Sequence, residues 1–302
     1  MTTTVTDTPT GTPTATATAT LTATDTGTST TTGTPTGTAT NSPTESATGT
    51  ITETPTQTST PLYNAAATIG SNGSFGVPAG VRYANGNIWV VDSVNNNLQE
   101  WATAGGTLSA SLVVSSFSGS PTTFNGPSAL GIDPVTGNIY VADQNNSQFE
   151  VFSSSGSYLA SFGQTELSGD PAKGVAVNSS GTTVFALDRQ DHVVRSYSIG
   201  GSPGSPTYTY QSGSDIGSGS LIYPWNVVLD SSNQVYVTDV NFSEVVKFSL
   251  AGAVLKTFTA DLQTPVDVAV DNSGNVFALN SGTNGYVVEY DSSGTELGTF
   301  GT

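Results

Sequence analysis

Residues 139–143 of this chain read Ile-Tyr-Val-Ala-Asp, a short apolar strand that ends in an acid. Four other stretches follow the same pattern and end in an acid or an amide: Ile88–Asp92, Val184–Asp188, Val235–Asp239 and Val276–Asn280. The terminal acid or amide recurs every 41 to 51 residues. An internal repeat of this period indicates a solenoid, a propeller or a similar array, so the repeat decides the architecture.

The rest of each repeat keeps the same phase. An aromatic residue follows nine positions after the acid, or ten in the last repeat, and a glycine follows four positions after each aromatic. The aromatics are Trp101, Phe152, Tyr197, Phe248 and Tyr290, and the glycines are Gly105, Gly156, Gly201, Gly252 and Gly294. Upstream of each acid, a proline opens another short apolar stretch, at Pro78, Pro127, Pro171, Pro224 and Pro265. Each repeat therefore contains four short predicted strands.

Period-two patterning with turn-forming segments between the strands predicts an all-β fold. Repeated units of four antiparallel strands are typical of a β-propeller, in which neighbouring blades cover each other's faces. We expect five complete blades. Residues 65–70 match the fourth-strand ending 297–301, which supplies one fourth strand more than five blades need. The chain is then either a truncated six-bladed ring, which we favour, or a five-bladed ring with an extra edge strand.

Residues 265–301 carry a family resemblance. They contain Pro-x-x-Val-Ala-Val-Asp, then Asn-Val-Phe-Ala-Leu, then Val-Val-Glu-Tyr-Asp-x-x-Gly-x-x-Leu-x-x-Phe-Gly, and this segment resembles an NHL-type propeller repeat. The other four repeats are similar, so the resemblance covers residues 65–302. It implies the propeller fold. It does not select one function, because the family includes hydrolases, lyases, ligand binders and RNA-binding modules.

The charge of the chain argues against nucleic acid as a partner. The chain has 6 basic residues, 23 acids and a formal net charge of -17, and such a surface repels phosphates and anionic membranes. NHL-type repeats often have Arg five positions after the acid, where this chain has Asn97, Gln148, Val193 and Glu244. We therefore expect no nucleic acid partner.

Residues 1–60 have a different composition. Thr alternates there with Pro, Gly, Ser and Ala, and the segment has no aromatic residue, no Lys and no Arg. Such a tract buries too little apolar surface to offset its chain entropy, so we predict a disordered stalk or linker over 1–60 and the propeller over 61–302. The composition resembles a mucin-like stalk that carries O-linked sugar, and an unmodified polar linker is the alternative.

The stalk predicts a location outside the cell or on its surface. The start of the chain lacks the charged n-region and apolar h-region of a secretory signal. We interpret the chain as a piece of a longer secreted polypeptide, or as one whose start was assigned late. No apolar run approaches the roughly 20 residues that a transmembrane helix needs, so we expect no transmembrane segment.

The residue content excludes several kinds of site. With no Cys and one His, His192, the chain can build neither a disulfide framework nor a thiolate or His-clustered metal site. We predict no cofactor and no metal site. Calcium needs only carboxylate and carbonyl oxygens and stays compatible with the sequence, although no calcium-loop motif is present.

We interpret the strand-end residues as structural turn residues: Asp92, Asp143, Asp188, Asp239 and Asn280. Asp and Asn side chains accept backbone N–H bonds and shape the turn that follows them. A ring of ligands is the alternative. The aromatics nine positions later are expected to pack between blades, with a carbohydrate platform as the alternative.

The candidate binding face follows from the topology of a four-stranded meander, which brings the start of the first strand and the loop between the second and third strands to one side. The candidate binding residues on that side are Trp225, Asn226, Phe242, Asp267, Lys173, Arg189 and His192. Trp225 and Phe242 form a candidate stacking surface for a sugar or peptide, unless Trp225 plugs the channel mouth. We predict no catalytic residue, because no recognisable motif places a nucleophile for His192.

Two functions stay open. We favour a non-enzymatic extracellular propeller on a Thr-rich stalk, which binds a protein, peptide or glycan or acts as a structural interaction module. The alternative is a calcium-dependent hydrolase or lyase of gluconolactonase-like type. Several carboxylates and a base that converge at the channel mouth would distinguish the enzyme from the binding module.

Overall fold

The computed structural model of the protein describes residues 74–84, 86–102, 109–167, 169, 171–282 and 285–301. Within these residues, twenty strands form five four-stranded antiparallel sheets that are arranged as a five-bladed β-propeller. The structure confirms the predicted all-β propeller with five complete repeats. The predicted disordered tail over 1–60 and the extra fourth strand over 65–70 lie outside the described residues, so the choice between a truncated and a supplemented ring stays a prediction.

Each blade is a meander of four neighbouring strands. Blade 1 contains β1 (Pro78–Ala84), β2 (Asn87–Asp92), β3 (Asn97–Ala102) and β4 (Ser109–Val114). Blade 2 contains β5 (Pro127–Ile132), β6 (Ile139–Asp143), β7 (Gln148–Phe152) and β8 (Tyr158–Phe162). Blade 3 contains β9 (Ala172–Val177), β10 (Thr183–Asp188), β11 (Val193–Ser202) and β12 (Ser205–Tyr210). Blade 4 contains β13 (Pro224–Leu229), β14 (Val235–Asp239), β15 (Glu244–Phe248) and β16 (Val254–Phe258). Blade 5 contains β17 (Pro265–Val270), β18 (Val276–Asn280), β19 (Tyr286–Tyr290) and β20 (Glu296–Phe300).

The second strand of each blade is the one that the sequence pattern identified. In blade 2, β6 pairs with β5 and β7, and all five of its residues are buried. β-Branched and aromatic side chains suit such a strand because both of its faces pack against neighbours. One short helix, α1 (Gln164–Leu167), and one 3₁₀ turn (Gln144–Asn146) interrupt the described β structure. Within the described part of the chain, no helix has the length and apolar character needed to cross a bilayer.

Apolar clusters join blade 1 to blade 2 and continue through each successive pair to blade 5. Four of the five aromatics that follow the acid or amide lie in these clusters, and Phe152, Tyr197, Phe248 and Tyr290 are all almost fully buried. The fifth, Trp101, is also buried but lies outside these clusters of described residues and contacts the ring of Phe75. Tyr197 meets Phe162 of the preceding blade with ring centroids 5.0 Å apart, and Tyr290 meets Phe258 in the same way at 5.4 Å. In these two pairs, a blade inserts the end of its fourth strand against the third strand of the next blade.

Candidate channel-mouth site

A cavity of about 340 Å³ lies where the first strands of the five blades begin. Every blade contributes a wall residue from the start of its first strand: Ala79, Ser128, Lys173, Trp225 and Val266. The cavity therefore sits at one mouth of the central channel, on the face that the meander topology selected.

A β-bulge at the start of each first strand orients the wall residues of the cavity. In blade 4, Pro224 pairs with Asp239 and Val227 pairs with Val237, so Trp225 and Asn226 together face a single residue. The same register shift occurs in the other four blades. A bulge bends its strand and redirects a side chain that would otherwise follow the strict alternation of the sheet.

Trp225 is the centre of a stack of cations and rings. The Nζ atom of Lys173 lies 4.1 Å from the centroid of the Trp225 ring, and Cζ of Arg189 lies 4.8 Å from it. Arg189 also covers the ring of Tyr223 at 3.7 Å, and the two aromatic centroids are 6.2 Å apart. A cation over an aromatic face is attracted by the ring quadrupole, so this stack fixes Trp225, which is half-buried.

Lys173 is a buried cation. Its residue is only 3% exposed, and its Nζ donates a hydrogen bond to Oε1 of Gln144. Burial lowers the pKa of Lys173 to about 8, and the neighbouring charge of Arg189 acts in the same direction. Among the described residues, no acid forms an ion pair with Lys173 or Arg189. The charge of Lys173 is thus compensated by an amide oxygen and an aromatic face.

Among the described residues, the single carboxylate in the cavity wall belongs to Asp267. Asp267 accepts a hydrogen bond from Nδ2 of Asn226, and Nη1 of Arg82 lies 3.8 Å from its Oδ2. Three of the six basic residues of the chain, Arg82, Lys173 and Arg189, therefore lie at a mouth whose described wall contains one acid. The mouth is locally cationic in a chain whose net charge is -17.

The strand-end residues hold the turns beside the mouth. Asp92 accepts backbone N–H bonds from Gly76 at 2.6 Å and Val77 at 3.0 Å. Asp239 accepts such a bond from Ile222 at 2.6 Å, and Oδ1 of Asn280 accepts one from Gln263 at 3.0 Å. Each of these bonds joins the end of the second strand to the segment that enters the blade.

The seven predicted site residues separate into three groups. Trp225, Asp267 and Lys173 line the cavity. Asn226 and Arg189 contact lining residues, as described above. Phe242 and His192 are described but do not belong to the lining: Phe242 is 50% exposed in the turn before β15, and His192 has φ 59° in the turn before β11.

The sequence did not identify Tyr223, Gln144 or Arg82 as members of this site. Tyr223 directly precedes the proline of its repeat, and this proximity to Trp225 was an available signal. The approach of Gln144 to Lys173 joins blades 2 and 3, so it depends on how the blades pack. Within the described residues, no three His, Asp or Glu side chains converge as a metal ion would require.

The comparisons with known proteins support a propeller. The model of a family of seven-bladed lactonase propellers matches residues 76–222, just under half of the chain. No curated protein matches the sequence. A chain in the crystal structure of a nidogen/laminin complex is similar with a TM-score of 0.55 at 15% identity, over 74% of this chain and 80% of that chain.

Two other solved structures are also similar. One is a catalytically inactive virginiamycin B lyase from Staphylococcus aureus with quinupristin, with a TM-score of 0.51, 14% identity and coverage of 75% of this chain and 70% of that chain. The other is a protein assigned as a 6-phosphogluconolactonase from Bacteroides uniformis, with a TM-score of 0.56, 15% identity and coverage of 74% and 72%. At these identities the likeness concerns the fold, because one propeller scaffold carries many unrelated functions.

Proposed function

We propose that the protein is a binding module whose channel mouth takes a small organic anion. The observation that carries this proposal is Lys173, a buried cation that faces the cavity without an acidic partner among the described residues. A carboxylate or phosphate group of a ligand would supply the charge that the site lacks. Charge-assisted hydrogen bonds of this kind are roughly twice as strong as neutral ones.

The aromatic wall adds a second requirement for the ligand. Trp225 is half-buried and already carries Lys173 and Arg189 near its ring, so an apolar part of a ligand can lie beside the same side chain while its anionic group meets the cations. A volume of about 340 Å³ accommodates a small molecule or one acidic side chain of a partner.

The wider setting belongs to the same proposal. The Thr-rich composition of residues 1–60 supports a stalk and an extracellular or cell-surface location. Residues 265–301 support an NHL-type repeat within the broader propeller class. In this setting, the stalk holds a binding propeller away from a surface.

Isothermal titration of the full chain with glucuronate, phenylacetate and inorganic phosphate tests this function. We expect at least one of these anions to bind at pH 7, Lys173→Met to abolish binding, and Trp225→Ala to weaken it by more than about 1 kcal/mol. Lys256→Met is the matched control, since Lys256 is exposed on β16 and its replacement removes the same charge. Equal losses in both Lys variants would assign the effect to net charge and contradict the proposal.

The pH dependence provides a second readout. With its pKa at about 8, Lys173 is mostly protonated at pH 7 and mostly neutral at pH 9. Anion affinity should therefore fall by about tenfold between these two pH values. Affinity that stays constant over this range would exclude Lys173 as the anion-binding group.

A lactone hydrolase is a second candidate, favoured by the lactonase family match over 76–222. In such a reaction, the oxygen of water adds to the lactone carbonyl carbon and the water loses a proton, the ring C–O bond breaks, and the leaving alkoxide takes up a proton to become the alcohol. Lys173 is suited to transfer that proton near neutral pH because burial lowers its pKa to about 8. Hydrolysis of glucono-δ-lactone above the buffer rate, with and without calcium, and its loss in Lys173→Met would select this candidate.

A further inference from the structure

A second cavity, of about 450 Å³, lies between the outer strands of blades 2 and 3. Its wall contains four aromatic residues: Tyr208 and Tyr210 are half-buried, whereas Phe162 and Tyr197 are buried in the core. Its described lining shares no residue with the channel-mouth cavity. We call this cavity the tyrosine groove and consider it independently of the proposed anion site.

The tyrosine groove arises from a departure from the repeat. The third strand of blade 3, β11, is ten residues long, whereas the third strands of the other blades have five or six residues. Its longer pairing with β12 places Tyr208 opposite Ile199 and Tyr210 opposite Tyr197. The extended hairpin thus adds two aromatic rings beside Tyr197, the aromatic that every repeat has at this position.

Hydrogen bonds fix the rings of the groove. The hydroxyl of Tyr208 donates to the hydroxyl of Tyr140 at 3.1 Å, and that of Tyr210 donates to Oδ2 of Asp215 at 2.7 Å. The ring of Tyr208 also stacks on Phe162 with centroids 4.4 Å apart. Because the hydroxyls are held by the protein, a ligand meets rings that are already positioned, which reduces the entropy cost of binding.

Apart from Gly163 and Pro206, the remaining wall of the groove carries polar side chains. Ser161, Gln164, Thr165 and Thr207 are exposed and supply hydroxyl and amide groups, and Glu166 supplies one carboxylate, which accepts a bond from Tyr197 at 3.4 Å. Among the described residues, no Lys, Arg or His belongs to the lining. This composition disfavours an anion, in contrast to the channel mouth.

We propose that the tyrosine groove binds a neutral oligosaccharide. A pyranose ring has one face of C–H groups, which packs on an aromatic ring, and a rim of hydroxyls, which need both donors and acceptors. Aromatic walls with a few placed polar groups and a volume of several hundred Å³ are the general features of a ligand site. The lining of the tyrosine groove combines aromatic rings with hydroxyl, amide and carboxylate groups in a space that fits one sugar unit or a few.

Binding of neutral hexasaccharides to the full chain tests the groove. We expect at least one of cellohexaose, xylohexaose, mannohexaose, maltohexaose and chitohexaose to bind in isothermal titration. Thr207→Trp should block the groove from an exposed position and abolish binding without disturbing the core. Tyr210→Ala should weaken binding by about tenfold, since truncating an aromatic anchor commonly costs more than 1 kcal/mol.

Two control variants distinguish sugar binding in the groove from a loss of local structure and from binding at the channel mouth. Tyr210→Phe keeps the ring and should retain most of the affinity, which a purely structural role of the Asp215 bond would not allow. Lys173→Met disables the channel mouth and should leave hexasaccharide binding unchanged. The proposal is overturned if no hexasaccharide binds, or if Thr207→Trp binds the sugar as well as the unchanged protein does. Aromatic rings also bind organic cations, so binding of tetramethylammonium without binding of a sugar would likewise overturn it.

Discussion

One repeat position is exposed only in blade 1 and another only in blade 5, although each is buried in the other four blades. In the first strands, Leu130, Val175, Val227 and Val268 are at most 2% exposed, whereas their counterpart in blade 1, Val81, is 50% exposed. In the second strands, Leu187 is fully buried, but its counterpart in blade 5, Leu279, is 39% exposed. The repeat pattern therefore determines which side chains point to a blade face, and the neighbouring blade determines whether that face is buried.

The largest expected effect comes from the two leucines of this comparison. Leu187→Ala should lower the free energy of unfolding by about 2–5 kcal/mol, because it leaves a cavity in the cluster between blades 3 and 4. Leu279→Ala, at the same repeat position, should cost less than about 1 kcal/mol, since its side chain is already partly hydrated. Urea unfolding of both variants measures the difference. Equal losses would mean that blade 5 is covered as completely as blade 3 in solution.

A buried acid in the interface between blades 1 and 2 gives a second effect on stability, which depends on pH. Glu150 lies two residues before Phe152 and on the same face of β7, at the repeat position that Val246 and Val288 occupy in blades 4 and 5. It is fully buried, and within the described residues its Oε2 has no hydrogen-bond partner. Burial raises the pKa of Glu150 to about 8, although a hydrogen bond from Gln148 acts in the opposite direction.

The sign of the effect follows from the raised pKa. Below pH 4.5 the carboxyl is protonated in both the folded and the unfolded chain, so its ionisation costs no stability there. Between pH 4.5 and about 8 the unfolded chain releases the proton and the folded chain keeps it, so stability falls as pH rises. Since one pKa unit corresponds to about 1.4 kcal/mol, Glu150→Gln should remove this loss and gain roughly 4 kcal/mol at pH 8 but little at pH 4. Chemical unfolding of both proteins across this range measures the gain, and a gain that is equal at both pH values would contradict the buried carboxyl.

The sequence predicted the features that depend on local spacing. The fixed spacings between the acid, the aromatic and the glycine were sufficient to predict five blades, since each set of spacings marks one four-stranded meander. The role of Asp92 as a backbone acceptor was also predictable, because an Asp at the end of a strand bonds nearby N–H groups. One repeat signal was overlooked: an apolar residue three positions before the proline, at Phe75, Phe124, Leu221 and Leu262.

The features that depend on blade packing were not predictable in this way. A contact within one blade is different, because the sequence could have suggested it: the ring centroids of Phe124 and Phe152 are 5.5 Å apart. In contrast, the stack of Lys173, Trp225 and Arg189 joins neighbouring blades through a bulge, so its geometry follows from blade orientation. The tyrosine groove depends in the same way on an elongated hairpin whose length the repeat pattern does not give.

The two valines of the first strands give the smallest and most closely matched test. Val268→Ala removes two methyl groups from the cluster between blades 4 and 5 and should cost about 1–2 kcal/mol. Val81→Ala removes the same atoms from a half-exposed position of the same strand type and should change stability by less than about 0.5 kcal/mol. Because the chemistry and the secondary structure are identical, the difference reports only the cover that the neighbouring blade provides. Hydrogen exchange should agree, with slower exchange of the β17 amides than of the β1 amides, and similar protection of both strands would show that the outer face of blade 1 is covered in solution.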